Sequence, residues 1–580
     1  MMSSVIRTVK FRRSSKVLVK ALSRKQISDV IYRTYFVGTS RLSGSSSGNP
    51  NGNSSSSDAT PSNKYMSPFK SRRDLKFALV GGSMLVLTYS YFSSKSVLSL
   101  DTVKGIRQYT TGPVKGPNGS STAANGGSAS SSGGNDSITL LTESEVNAKL
   151  QDLQESYFVN RGKGVLRYDV AQLPSNNPIE DSHVEQIVTV PSTNSADAGV
   201  EEDLCFFGIF DGHSGCFTSK KLSTDLVPYV AQNLGKIYSD NSEVLSSSKL
   251  IDTAIEDAFV QLDNDIVYGS LRNLFKNPTK EAMVHSLPAI SGSCALLCGF
   301  NSYDSTIKVA VSGDSRALLC GLDDTDNWVV QSLSTDQTGD NPREVERIRS
   351  EHPGEDNVIR NGRVLGSLQP SRAFGDYRYK VKEIDGKSLA ELPEHVKIYF
   401  RSKPRDFLTP PYVTAKPEIT TTKIDQKSKF MVLASDGLFE LLSNEEIAGL
   451  IVKWMEVNIV PKPHSSAPNG KLPKIKDLSS DKDLLRPAFR YQSTQKRSGP
   501  EYLMEDTNVA THLIRNALSA GGRKEYVSTL VSIPSPMSRK YRDDLTVTVV
   551  FFGDSDNEPQ NIDGSIVVNN GATSQLKSKL

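Results

Sequence analysis

Hydrophobic and polar positions fall into short runs through the second half of this chain, and four of those runs meet an aspartate-bearing turn. Cys205 to Phe210 is apolar and ends at Asp211-Gly212-His213. Ile307-Lys308-Val309-Ala310-Val311 alternates and ends at Ser312-Gly313-Asp314-Ser315. Phe430 to Ala434 is apolar and ends at Ser435-Asp436-Gly437, and Arg542-Asp543-Asp544 stands just before the apolar run Leu545 to Phe552. Runs of this length predict buried strands, so each carboxylate is expected where a strand leaves or enters the core. Elsewhere the period is helical. Leu222, Leu226 and Val230 share a face after Gly215, a second stretch covers Ile251 to Tyr268, and Val509, Leu513 and Ala517 share a face of Glu505 to Leu518. This mixture fits an α/β class of fold, with two stacked sheets and helices outside.

Composition narrows the organisation of the 580 residues. Residues 43–64 and 113–138 are mostly Ser, Gly, Asn and Thr. They cannot bury enough apolar surface to offset chain entropy and are expected to be linkers. One large domain, 145–554, carries the patterned runs, with a polar insertion at 461–502 and a flexible tail over 555–580. The net charge of +3 and the lack of a basic, aromatic-interleaved block argue against nucleic-acid binding. The five cysteines, at 205, 216, 294, 298 and 320, lack CxxC spacing and read as buried free thiols.

The chain carries three address-like features. In residues 1–40, Arg7, Lys10, Arg13, Lys16, Lys20 and Arg24 recur at helical spacing, Asp29 is the sole acid, and Phe11, Leu18 and Leu22 lie on another face. That pattern predicts a mitochondrial presequence. Residues 77–92 form an apolar run behind Arg72, Arg73 and Lys76, with Tyr89, Tyr91 and Phe92 at its far end. It is a candidate transmembrane segment in the inner membrane, which would place the following domain in the intermembrane space. Ser578-Lys579-Leu580 ends the chain and matches a peroxisomal address. Mitochondrial and peroxisomal import receptors are the partners these features imply.

An Asp-Gly after a strand is usually only a turn; the ordered set says more. Glu180-Asp181, Asp211-Gly212-His213-Ser214-Gly215, Ser291-Gly292-Ser293, Gly313-Asp314-Ser315-Arg316, Ser371-Arg372-Ala373-Phe374-Gly375-Asp376, Ser435-Asp436-Gly437 and Arg542-Asp543-Asp544 follow one another in the chain. In these motifs, over about Glu180 to Phe552, the sequence resembles the metal-dependent serine/threonine protein phosphatases of the PP2C type. Asn176-Asn177-Pro178-Ile179-Glu180-Asp181, Leu365 to Asp376, Leu408-Thr409-Pro410-Pro411-Tyr412 and Asp506 to Leu518 resemble more narrowly the mitochondrial pyruvate dehydrogenase phosphatases.

The resemblance implies a sandwich of two mainly antiparallel sheets flanked by helices. It implies two Mg2+ or Mn2+ ions bridged by Asp211, with Asp436 and Asp543 on one and Glu180 and the Gly212 carbonyl on the other. Asp314 would serve a third, looser ion, and Asp181 would support the ligands from behind. Oxygen-rich sets of this kind suit these hard cations. His213 is the candidate general acid for the leaving oxygen, Ser214 the cap of the next helix, and Arg372 a brace. Most of the family carries an arginine that grips substrate phosphate where this chain has Asn176, so its neutral amide is the expected phosphate contact. Segments 337–364 and 377–407 are expected around the mouth of the site as a mobile flap. His183, His285, His352, His395, His464 and His512 fit no ligand spacing. The implied substrate is a phosphoprotein, with the E1 alpha subunit of matrix pyruvate dehydrogenase the specific expectation. Two other readings remain: a catalytically dead PP2C-like scaffold, and a metal-dependent hydrolase of small phosphate esters. Retention of Asp211, Asp436 and Asp543 weighs against the first, and the lack of a glycine-rich phosphate loop against the second.

Overall fold

The computed structural model describes residues 139–159, 164–191, 201–240, 248–460, 462–463, 465, 467–479 and 499–553, together with the strand residues 560–561 and 567–568. The presequence, the segments 43–64, 77–92 and 113–138, and the terminal tripeptide lie outside these residues. Among the described residues no helix is long and apolar enough to cross a membrane.

Two sheets dominate. The larger has eight strands in the order Lys476–Asp477, Trp328–Ser332, Arg316–Leu322, Ser428–Ala434, Leu545–Gly553, Gly164–Leu173, Gln154–Phe158 and Val567–Val568. The smaller has five, in the order Glu418–Lys423, Thr306–Ser312, Ala295–Asn301, Glu201–Phe210 and Ser182–Pro191. All pairings in the smaller sheet are antiparallel, and in the larger only the two outermost are parallel. The expected sandwich of mainly antiparallel sheets is therefore present.

The continuous apolar runs have a simple cause: both faces of these strands are buried. Cys205, Phe207 and Ile209 face the layer between the sheets, where they meet Tyr168, Leu296, Met431, Leu433 and Val550. Leu204, Phe206 and Phe210 point the other way, onto the helices Phe217–Asp240 and Ser248–Asn264. On the larger sheet Val547, Val549 and Phe551 pack outward against Asn444–Asn458 and Val509–Leu518. The period of two thus separates three cores, and four layers stack as helix, sheet, sheet, helix. All five cysteines are buried and free, as expected.

Three elements differ from the pattern-based expectation. The helix predicted from Glu505 starts at Val509, because Asn508 caps it by accepting from the Thr511 amide at 2.9 Å. The insertion 461–502 is not wholly superficial, since Lys476–Asp477 extends the larger sheet and the buried Asp477 accepts from Asn444 Nδ2 at 3.0 Å. The expected flap is packed: Ile348, Val358, Val364 and Tyr379 form a small core with Tyr412, while Ile384, Leu392 and Val396 join the core beneath the smaller sheet.

Candidate metal centre

Strand ends from both sheets converge on one edge of the sandwich. Asp211 follows Glu201–Phe210 and Asp314 follows Thr306–Ser312 in the smaller sheet, and Asp436 follows Ser428–Ala434 in the larger. One carboxylate oxygen from each lies within 4.8 Å of the others. The cage is electrostatically costly. Burial pushes Asp211 well above the usual carboxylate range, and the charges of Asp181, Asp436, Asp543 and Asp314 push the same way. Asp436 is raised by burial, then by Asp314, Glu440 and Asp543, against Arg539. Burial pushes Asp314 up to about 6, while the Cys294 thiol, donating to its Oδ1 at 3.1 Å, opposes. Glu440, one helical turn past Asp436, is pushed up to about 7 by burial and by Asp543. Like charges this close do not remain ionised together unless a cation joins them. An all-oxygen donor set fits a hard divalent ion, and no thiol or imidazole among these three carboxylates suggests zinc.

Asp543 precedes the strand Leu545–Gly553 and faces Arg539, with which it forms an ion pair. Burial raises it and Arg539 opposes. Arg539, four residues upstream in a short turn of helix, is a member of the site that the sequence motifs did not reveal.

Behind the cage, Asp544 fastens the chain that brings in Glu180. Its Oδ1 accepts from the amides of Ser175 at 2.5 Å and Asn176 at 3.0 Å, and its Oδ2 from the Glu180 amide at 2.9 Å. Glu180 Oε1 accepts from the Gly215 amide at 2.5 Å. Gly212 is required here, because a Cβ would overlap the Glu180 carbonyl oxygen. Asp181 is buried and accepts from Thr546 Oγ1 at 2.7 Å.

Asn176 occupies a different place from the one expected. It is 6% exposed, and its Nδ2 donates to Glu180 Oε2 at 3.3 Å and to Asp544 Oδ2 at 3.2 Å. Its amide is engaged by two carboxylates of the framework instead of facing an incoming phosphate.

His213 sits in a ribbon of three two-residue strands, where it is paired with Gly292, which in turn is paired with Gly375. The residue after Gly375 is Asp376, and its Oδ2 lies 2.6 Å from His213 Nε2. Burial disfavours a charged imidazole, but Asp376, helped by Glu180 and Asp314, outweighs it and the His213 pKa is raised. Asp376 was legible only as part of a motif, not as the partner of His213. Ser214 does not cap the next helix, which begins at Phe217; it holds φ 63° and accepts from Arg401 Nη1 at 3.0 Å. Arg372 is a brace, as expected, forking onto Glu344 with Nη2 at 2.6 Å and Nε at 3.1 Å.

The comparisons with known proteins agree with this arrangement. Residues 175–482 match the family model of protein phosphatase 2C. The chain is 59% identical over 517 residues to the mitochondrial [pyruvate dehydrogenase [acetyl-transferring]]-phosphatase 1 of Saccharomyces cerevisiae, covering 87% of this chain and 90% of that protein. It is 38% identical to a protein phosphatase 2C homolog of Schizosaccharomyces pombe, over 70% of this chain and 84% of that one. It is 30% identical to the mitochondrial [pyruvate dehydrogenase [acetyl-transferring]]-phosphatase 1 of Bos taurus, over 71% of this chain and 83% of that one.

Proposed function

Because this chain belongs to the protein phosphatase 2C family and is a serine/threonine phosphatase of that type, we propose that its aspartate cage holds a pair of Mg2+ or Mn2+ ions and that its substrate is the phosphorylated E1 alpha subunit of pyruvate dehydrogenase. The observation that carries the metal assignment is the approach of Asp211, Asp314 and Asp436 within 4.8 Å. Asp211 would be shared between the ions, with Asp436 and Asp543 on one side and Glu180 and the Gly212 carbonyl on the other. Asp314 lies within the same 4.8 Å of Asp211 and Asp436, so it would belong to the same cage, and any third ion would share it. When bound, such a pair supplies an activated water and neutralises phosphoryl charge.

The chain's own residues do the rest. Asp544 and Asn176 hold Glu180 in place. Asp376 orients His213 and favours its protonated form, so that the imidazolium can deliver a proton to the serine or threonine oxygen as the ester bond breaks. Arg539 balances Asp543.

The substrate proposal is supported by the identity to the yeast and bovine pyruvate dehydrogenase phosphatases. Those relatives are mitochondrial by name, which with residues 1–40 supports a mitochondrial address for this chain. Membrane arrest at residues 77–92 and a second, peroxisomal pool through Ser578-Lys579-Leu580 rest on the sequence alone. The test is release of phosphate from phosphorylated E1 alpha and from a phosphoserine peptide with Mg2+ or Mn2+, against the same enzyme in chelator. Activity on the peptide that spares E1 alpha would overturn the substrate, and activity indifferent to chelator would overturn the metal pair.

A further inference from the structure

We propose that Arg401 is the cation that meets the phosphoryl group of the substrate; this rests on the phosphatase reading above. Both ends of Arg401 are tied to the residues that flank the His213–Asp376 pair. Its Nη1 donates to Ser214 Oγ at 3.0 Å, and Ser214 follows His213. Its carbonyl accepts from Tyr377 Oη at 2.8 Å, and Tyr377 follows Asp376. Ser214 takes a left-handed backbone conformation, φ 63°, which non-glycine residues adopt where the surroundings impose it.

The charge around Arg401 is unmatched. Of the other cations near the site, Arg539 is paired with Asp543, Arg372 with Glu344 and Lys380 with Asp263, while Arg542 is turned onto the carbonyls of Leu173 and Pro174. Among the described residues no carboxylate pairs with Arg401, and the one hydrogen bond its guanidinium makes goes to a neutral hydroxyl. A half-buried guanidinium with four remaining N–H donors is a fork for a phosphate dianion. The site otherwise presents Glu180, Asp211, Asp314, Asp376, Asp436 and Asp543, and Asn176 is turned away into the framework. An anionic substrate entering that field needs a fixed cation beside the residue that protonates its leaving group.

The experiment compares Arg401→Ala, Arg401→Lys and Ser214→Ala in the metal-loaded enzyme. Inorganic phosphate is the probe, followed by calorimetric binding and by inhibition of p-nitrophenyl phosphate hydrolysis. Arg401→Ala should weaken phosphate about 10-fold or more and raise KM alike, with a smaller loss in kcat, as expected for removal of a charge-assisted fork. Arg401→Lys should recover part of the affinity. Ser214→Ala, which removes only the tether, should shift it less than about twofold. Phosphate affinity within twofold of wild type in Arg401→Ala would overturn the proposal, as would an equal loss in Ser214→Ala, which would make Arg401 a tether. If Arg401→Ala loses its cooperative melt, Arg401→Lys decides: wild-type phosphate affinity there rejects the fork. A wild-type enzyme with no phosphatase activity would instead reject the phosphatase reading itself.

Discussion

His213 Nε2 and Asp376 Oδ2 lie 2.6 Å apart across a strand that has no side chain in the way. The strand between them carries Gly292, and a Cβ there would overlap both atoms. Two residues 163 positions apart in sequence are thus joined by a glycine that belongs to neither motif. The pairing of Gly292 with both His213 and Gly375 sets the distance.

Asp376→Asn should therefore slow phosphoserine hydrolysis about 10- to 100-fold, within the usual worth of a general acid. The amide keeps the shape but no longer favours the imidazolium. p-Nitrophenyl phosphate, whose leaving group needs little protonation, should lose less. Gly292→Ala should reproduce the same selective loss by pushing the two groups apart. Equal losses on both substrates would show that the pair is only architectural.

The cage of Asp211, Asp314 and Asp436 makes a second prediction, in which stability and activity move in opposite directions. Asp436→Asn should lower turnover by orders of magnitude, yet in chelator it should melt at the same or a higher temperature than wild type. The substitution removes one of several crowded, mutually repelling carboxylates, each already raised by desolvation and by its neighbours. The rise in Tm that Mg2+ or Mn2+ gives the wild type by binding the folded state should shrink. Thermal melts with and without metal check this, and a variant that melts well below wild type in chelator would contradict it.

The sandwich was legible because its strands are buried on both faces, so Cys205–Phe210 and Leu545–Phe552 read as apolar runs ending at carboxylates. The same logic located Asp211, Asp314 and Asp436, whose turns follow such runs. What pattern could not supply was pairing across the chain. The ion pair of Arg539 with Asp543, the Cys294 thiol on Asp314 and the reach of Arg401 to Ser214 arise from register and loop path. Asn176 is a similar case: its place in the motif said nothing about its side chain meeting Glu180 and Asp544.

Asn176→Ala should for that reason leave KM nearly unchanged and weaken the fold. The amide donates to both Glu180 and Asp544, and its removal leaves two buried carboxylates short of a donor. The expected cost is about 1–3 kcal/mol, typical of a buried acceptor left unsatisfied. Denaturant titration measures the loss, and metal affinity should fall with it as Glu180 loosens. A several-fold rise in KM with unchanged stability would restore a direct role in holding phosphate.

The last prediction concerns acid stability and lies far from the catalytic edge. His512 is fully buried on the helix Val509–Leu518, with Nε2 at 3.2 Å from the Leu450 carbonyl and Nδ1 at 3.3 Å from Asn516 Nδ2. A neutral ring satisfies both contacts, donating at Nε2 and accepting at Nδ1. A second proton would place a second N–H against the Asn516 amide. Burial pushes the His512 pKa down to about 4, the Leu450 carbonyl opposes, and Arg515 adds to the depression. In the unfolded chain the ring titrates near its ordinary 6.5. Between those values the unfolded state binds the extra proton, so stability is fully present above about pH 6.5 and is lost as pH falls toward 4. The loss should approach about 3 kcal/mol across the window. His512→Gln, which keeps a donor and an acceptor but cannot take a proton, should flatten that part of the profile. Unfolding free energies of both proteins at pH 7, 6 and 5 provide the comparison, and parallel profiles would show that His512 is not the group that titrates.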